Sequence, residues 1–293
     1  MQIKITDYIK LLRPSHYIKN LFVYIPAFFG GAMTNRANIL AATITFVAFC
    51  FVCSSVYCLN DIMDAEADKA HPVKRNRPLA SGRIGKKSAI WLMSACLVLG
   101  IAIMLLSGNL ETLWILLVYY ALNVAYCLKL KELAIVDVCI ISFGFALRLI
   151  AGGAATGVVL SQWIVLVSFM LTLFLAFAKR RDDVVMMNET GLAPRRNTSR
   201  YNLTFINQAI TITGAVMIMC YIMYTVSPEV TARLGTDKLY LTSILVAVEV
   251  LRYIQIAVVD GKGGDPIKIV TKDRVTQVIL LAWIAVYLII IYI

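Results

Sequence analysis

Long apolar runs separated by short charged stretches constrain this chain more than any other feature. An α-helix needs about 20 apolar residues to cross the hydrocarbon of a bilayer. Nine runs near that length lie between polar breaks, at residues 20–34, 39–59, 88–106, 110–128, 134–155, 160–178, 205–226, 239–258 and 275–292. The first is short and is interrupted by Pro26 and by Gly30 and Gly31. With 60% hydrophobic and 15% charged residues and a mean hydropathy of +0.79, the 293-residue chain lies outside the soluble globular range. The expected fold class is all-α: a polytopic membrane protein of nine transmembrane helices forming one domain over residues 1–293.

The net charge of +11 has a topological origin. Of the 28 Lys and Arg, 23 lie before the first run or in segments 60–87, 129–133, 179–204 and 259–274, whereas only Arg36, Arg233 and Lys238 lie in the opposite loops. Cytoplasmic loops collect Lys and Arg, so the N-terminus is expected inside and the C-terminus outside. That distribution argues for a lipid bilayer as partner and against a nucleic acid. The seven cysteines fall within or at the ends of the apolar runs and read as small buried side chains. Cys50 and Cys53 have a redox spacing but lie in mid-helix without a redox context. His16 and His71 are too few for a histidine-rich metal site. No cleavable signal is read at the N-terminus. Residues 1–19, with Lys4, Asp7, Lys10 and Arg13 among Ile, Tyr and Leu, suit an interfacial helix that Pro14 ends.

The stretch Asn60–Gly82, NDIMDAEADKAHPVKRNRPLASG, concentrates the chemistry. If the second span continues as helix, Asp61, Asp64 and Asp68 stand at i, i+3 and i+7, with Asn60 and Asp64 at i and i+4. Three carboxylates then share one face while Glu66 points away. Clustered like charges need a cation among them, and hard oxygen ligands suit Mg²⁺ bridging to a phosphate. A solvated acidic helix end is the alternative. The cations that follow, Lys74, Arg75 and Arg77, supply the charge-assisted donors a phosphate needs. Segments 60–87 and 179–204 are the two long cytoplasmic loops, at corresponding points after the second and sixth spans. Their placement hints at a duplicated helical unit.

Other polar residues within the spans have two readings each. Lys19 stands at the mouth of the first span, where its ammonium either reaches lipid headgroups or meets a phosphate. Asp137, Gly144 and Arg148 lie along one face of the fifth span, as a cavity-lining stripe would. Arg148, deep in the bilayer, needs either a bound anion or a carboxylate, and Glu249 is the candidate partner. Tyr126 either lines a pocket or belongs to the aromatic belt. The segment 260–268, DGKGGDPIK, is glycine-rich and basic without the order of a P-loop.

Asn60-Asp61-x-x-Asp64-x-x-x-Asp68 after an apolar helix resembles the first acidic motif of the UbiA superfamily of intramembrane prenyltransferases. That resemblance implies nine helices around a cavity capped by cytoplasmic loops, with Mg²⁺ and a diphosphate bound there. The superfamily's second motif, two aspartates three residues apart, is replaced here by Lys179-Arg180-Arg181-Asp182-Asp183, followed by Met186 and Met187. LRPSHYIKN at 12–20, HPVKRNRPLASG at 71–82, LKLKELAIVDV at 128–138, GFALRLIAGG at 144–153 and the LRY, GGDP and KDRVTQ pieces of 251–277 are similar to the decaprenyl-phosphate phosphoribosyltransferase branch. Tyr17 departs from the tryptophan expected in that branch. The resemblance implies transfer of 5-phosphoribosyl from phosphoribosyl diphosphate to a polyprenyl phosphate in a prokaryotic cytoplasmic membrane, on its cytoplasmic side. Asn60, Asp61, Asp64 and Asp68 would hold the metal. Lys19, Lys74, Arg75, Arg77, Lys179, Arg180 and Arg181 would meet the donor phosphates, and Tyr126, Arg148, Asp182 and Asp183 would position substrate. A donor with phosphate at both ends needs more cations than a prenyl diphosphate does, and Arg pairs bidentately with phosphate. The alternatives are an aromatic prenyltransferase of the same fold and, from another class, a transporter. A homo-oligomer is left open by the sequence.

Overall fold

The computed structural model describes residues 5–69, 74–191 and 193–292, and every regular element among them is helical. His71, Pro72 and the first residues of the N-terminal segment, Lys4 included, lie outside the described residues. A short amphipathic helix α1 (Ile5–Leu12) leads into a 3₁₀ segment (Pro14–Tyr24) and a five-residue α2 (Ile25–Phe29). The long helices are α3 (Arg36–Lys69), α4 (Lys86–Ser107), α5 (Leu110–Leu128), α6 (Val136–Thr156), α7 (Gln162–Thr190) and α8 (Leu203–Val226). After them come the short α9 (Pro228–Leu234), then α10 (Thr242–Val258), α11 (Pro266–Lys272) and α12 (Arg274–Tyr292).

Local chemistry sets several of these boundaries. The side chains of Asn109, Ser161 and Asn202 accept from backbone N–H groups in the first turns of α5, α7 and α8, satisfying donors that a helix start leaves without intrahelical partners. Gly108 and Gly191 end α4 and α7 at φ 71°, a conformation glycine enters without the Cβ clash.

By length and composition, seven of the described helices can cross a membrane, and an eighth span results if α11 and α12, bent by 86°, count as one. The run at residues 20–34, short and interrupted by proline and glycine in the sequence, is the end of the 3₁₀ segment, α2 and a 3₁₀ turn at Ala32–Thr34. Gly31 at φ 68° separates the last two pieces. Helix α3 continues through the acidic stretch to Lys69, and the loop expected from Lys179 begins later because α7 continues to Thr190. Ion pairs one turn apart, Glu66–Lys69 at 2.7 Å and Arg180–Asp183 at 3.2 Å, suit helix that continues into polar surroundings.

The chain forms two compact units. The first comprises Met1–Lys131 and Leu147–Val159. Its core joins Val23, Phe49, Val52, Met104, Leu116, Tyr119 and Ala151. Two glycines permit the backbone approaches this packing needs. A Cβ on Gly100 would lie 2.7 Å from Val52, and one on Gly152 would lie 2.0 Å from the carbonyl oxygen of Val23. Small residues let membrane helices approach in this way. Near the acidic end of α3, a second cluster of Leu11, Cys58, Leu79, Ile84 and Ala89 seats α1 and the loop after α3. The second unit comprises Glu132–Ala146 and Leu160–Ile293. Its core joins Phe174, Phe177, Ile206, Ile210, Val250, Tyr253 and Ile256 from α7, α8 and α10.

Gly152→Ala is expected to destabilise the protein by about 1–3 kcal/mol, because the obstacle is main chain that cannot rotate away. Thermal unfolding in detergent checks this; a melting temperature equal to wild type would mean that the 3₁₀ segment does not pack on α6 this closely.

Candidate active site

The last turns of α3 bring the predicted carboxylates together with cations from three other parts of the first unit. Asp61 is 2% exposed and Asp68 is 4% exposed, burial that carboxylates tolerate only when paired. Arg77, from the loop after α3, reaches Asp61 Oδ1 at 3.2 Å and Asp68 Oδ2 at 2.7 Å. Arg13, between α1 and the 3₁₀ segment, also pairs with Asp61 Oδ1. Lys131, just after α5, pairs with Asp64 Oδ1. Glu66 is exposed, as its place on the helix implies.

Arg77 was expected to serve a phosphate, whereas Arg13 and Lys131 were not singled out from the sequence. Both lie in the segments 12–20 and 128–138 that carry the family resemblance, which was the available signal. Arg13 lies 48 residues from Asp61 in the chain and Lys131 lies 67 from Asp64, so no local spacing connects them.

Arg148 lies in a buried polar set of the same unit. Its Nε donates to Asn20 Oδ1 at 2.7 Å and its second guanidinium nitrogen to Tyr119 Oη at 2.8 Å, with Cys53 Sγ at 3.2 Å. The guanidinium also lies 4.6 Å from the centre of the Tyr119 ring, a favourable cation–π arrangement. These partners replace the expected Glu249 pair, and Glu249 lies beside Thr276, Asp273 and Arg252. The close approach at Gly152 brings the segment bearing Asn20 against α6, which explains a contact between residues 128 apart in the chain.

In the second unit, the Lys179–Asp183 stretch is a largely buried ionic network. Arg180, 2% exposed, pairs with Asp137 at 2.6 Å and with Asp183 at 3.2 Å, and Arg195 reaches Asp183 at 2.8 Å. Arg181 donates to Asn207 and to the carbonyl of Val258 at the end of α10. Asp137 and Arg148 therefore belong to separate buried networks rather than to one cavity-lining stripe. Tyr201 donates to Asp137 Oδ1 at 3.1 Å and accepts from the N–H of Ile135 at 2.6 Å, where Ile135 is held at φ 69°. That φ is costly for a β-branched side chain. Burial pushes the Tyr201 phenol up to about 12, so it remains a donor well above neutral pH. Asp182 accepts from the backbone N–H of Gly264, where a Cβ would come within 2.2 Å of its carboxylate. The glycine-rich segment is thus fastened to α7 as well as connecting two helices.

The remaining candidates are more accessible. Lys19, Arg75 and Lys179 are exposed, while Asn60, Lys74 and Tyr126 are partly buried. Cys127 Sγ lies 3.8 Å from Asn60 Oδ1.

The UbiA prenyltransferase family matches residues 23–264. The chain belongs to this family. It is 36% identical over 291 residues to a decaprenyl-phosphate phosphoribosyltransferase of Mycolicibacterium smegmatis, covering 96% of this chain and 91% of the relative. A decaprenyl-phosphate phosphoribosyltransferase of Corynebacterium glutamicum is 33% identical over 279 residues, covering 94% and 84%. The fold of this UbiA-family chain is similar to that of a UbiA homolog from Archaeoglobus fulgidus bound to GPP and Mg²⁺, with a TM-score of 0.73, 20% identity and coverage of 98% and 100%.

For a UbiA-family chain, the acidic end of α3 is the place to test for a metal. No three His, Cys, Asp or Glu among the described residues converge into a preformed cage. Mg²⁺ is commonly held by one or two carboxylates together with water and substrate phosphate. Asp61, Asp64 and Asp68 each engage their cations through a single oxygen, leaving the other oxygen outside those pairs. Hard oxygen donors of this kind fit a Mg²⁺ that arrives with a diphosphate.

Arg180→Leu is expected to cost about 3–5 kcal/mol, because it leaves the fully buried Asp137 without its charged partner. Thermal unfolding measures the loss, and Arg196→Leu, which breaks only an exposed pair with Glu132, is expected to cost about 1 kcal/mol or less.

Proposed function

We propose that this UbiA-family chain is a Mg²⁺-dependent membrane transferase that moves 5-phosphoribosyl from phosphoribosyl diphosphate to a polyprenyl phosphate and releases diphosphate. The observation that carries this reading is the interleaving of carboxylates and cations at the end of α3, where Asp61, Asp64 and Asp68 meet Arg13, Arg77 and Lys131. Such a surface serves a metal and a phosphate at once. The stretch 179–183 carries adjacent aspartates in place of a spaced pair, which supports a donor other than a prenyl diphosphate. The names of the M. smegmatis and C. glutamicum relatives agree with it.

In this reading Asn60, Asp61, Asp64 and Asp68 hold Mg²⁺, which supplies charge stabilisation to the departing diphosphate. Arg13 exchanges its carboxylate contact for diphosphate oxygens, while Arg77 and Lys131 keep their carboxylate pairs and lend charge to the same anion. Lys74, Arg75, Lys19 and the exposed Lys179 meet the remaining donor and acceptor phosphates. Arg180 and Arg181 fix the end of α7 within the second unit, and Asp182, Asp183, Tyr126 and Arg148 have positioning roles. The ribose carbon passes through an oxocarbenium-like state, as at other glycosyl centres. The acceptor phosphate is ionised near neutral pH, so no general base is needed.

The reading places the acidic end of α3 at the cytoplasmic side of a prokaryotic membrane, in one nine-span domain with the N-terminus inside and the C-terminus outside. The ninth crossing in this reading is the run at 20–34, which is not one continuous α-helix.

Purified protein incubated with Mg²⁺, labelled phosphoribosyl diphosphate and a polyprenyl phosphate is expected to yield a lipid-linked phosphoribose. Labelling of an aromatic acceptor from a prenyl diphosphate, with no phosphoribosyl product, would select the prenyltransferase reading instead. Asp61→Asn and Asp64→Asn are each expected to lower turnover by roughly 100-fold or more, about 2.7 kcal/mol of transition-state stabilisation. Chelation of the metal should abolish it.

A further inference from the structure

We infer that Arg13 is a counter-cation that competes with the metal at Asp61 and makes metal binding conditional on the arrival of a diphosphate. The inference rests on the Mg-diphosphate reading of the α3 end and adds a positioning and specificity role to a residue outside the acidic motif.

The backbone that presents Arg13 is pinned on both sides. Leu11 is fully buried, Asp7 pairs with Arg83 at 3.1 Å, and the carbonyl of Leu12 accepts from Ser54 Oγ at 3.0 Å. Arg13 itself is at φ 54°, and it precedes Pro14. Left-handed backbone is unusual for arginine, and a following proline further restricts the residue before it. The result is a sharp turn between α1 and the 3₁₀ segment that points the side chain at α3. The guanidinium then passes over the Tyr57 ring, 5.1 Å from its centre, to reach Asp61 Oδ1. Ser54, Tyr57 and Asp61 are at i, i+3 and i+7 of α3, so one helix face both holds the turn and receives its charge.

Charge balance gives this geometry its consequence. Three cations oppose Asp61, Asp64 and Asp68, so the cluster as a whole is close to neutral and attracts a bare divalent ion weakly. Asp61 alone receives two guanidinium groups, both on Oδ1, and Arg77 is also shared with Asp68. Arg13 is therefore the cation whose departure frees a carboxylate without leaving it unpaired. A diphosphate provides the anion that Arg13 needs as it leaves, and guanidinium pairs strongly with phosphate oxygens. Metal and diphosphate should then bind with positive coupling, each raising the affinity for the other by the same factor.

The test uses the full-length protein in detergent and reads Mn²⁺, as a substitute for Mg²⁺, by electron paramagnetic resonance without any organic substrate. Arg13→Gln is expected to tighten Mn²⁺ binding by about tenfold while raising the KM for phosphoribosyl diphosphate. Inorganic diphosphate should enhance Mn²⁺ binding strongly in the wild type and weakly in the variant. Arg13→Lys, which keeps the charge, should return Mn²⁺ affinity toward wild type. A merely structural role would weaken both ligands together, and unchanged or weaker Mn²⁺ binding in Arg13→Gln would overturn the inference. If Arg13→Gln does not fold, Tyr57→Leu removes the ring beneath the guanidinium and should shift Mn²⁺ affinity in the same direction; no shift there overturns it equally. Wild-type protein that shows the Mn²⁺ and diphosphate coupling yet never turns over phosphoribosyl diphosphate would reject the transferase reading and leave the role of Arg13 standing.

Discussion

Neutralisation of buried carboxylates at the end of α3 is the constraint on which the first unit depends. Asp61 and Asp68 lie almost wholly inside the protein, where an unpaired carboxylate would be costly. Cations must therefore be delivered from elsewhere, and each delivery organises a segment. Arg13 draws the turn after α1 onto α3, Arg77 holds the loop after α3 against the helix it has left, and Lys131 fastens the exit of α5 to Asp64. The small apolar cluster of Leu11, Cys58, Leu79, Ile84 and Ala89 seats the same segments beside the charges. Packing and electrostatics thus act on the same pieces of chain.

The second unit answers a similar problem with the opposite sign. Its long helix α7 ends in buried cations rather than buried carboxylates, and Asp137, Asp183, Asn207 and the carbonyl of Val258 satisfy them. An arginine bound in this way is poorly suited to meeting a substrate, because leaving its partners would strand a buried carboxylate. The exposed Lys179 has no such burden.

Much of this was legible before any coordinates. The apolar runs at 39–59, 88–106, 110–128, 134–155, 160–178, 205–226 and 239–258 each lie on a long helix, because a span must be both long and apolar. The i, i+3, i+7 pattern of Asp61, Asp64 and Asp68 likewise survives in the structure, since α3 continues through all three. Hydropathy leaves the form of residues 20–34 open, because it does not distinguish an α-helix from a 3₁₀ segment interrupted by glycine. Charge density in a sequence carries no information about burial, so the enclosure of Arg180 by Asp137 and Asp183 is visible only in the structure. Arg148 was offered Glu249 because a carboxylate is the usual partner of a buried arginine, whereas an amide, a phenol and a thiol serve it here.

The sequence by itself determined the membrane class, the helical architecture, the side of the bilayer expected for the charged loops and the acidic motif with its chemistry. All of these follow from composition, from hydrophobic length or from spacing within one helix, which are properties of adjacent residues. Only the tertiary structure decided which cation meets which carboxylate, that Arg13 and Lys131 pair with Asp61 and Asp64, and that Arg180 and Arg148 are enclosed in networks of their own. Several of those pairings join residues far apart in the chain, up to the 128 positions between Asn20 and Arg148. They depend on close approaches such as Gly152 on Val23, which no local pattern encodes.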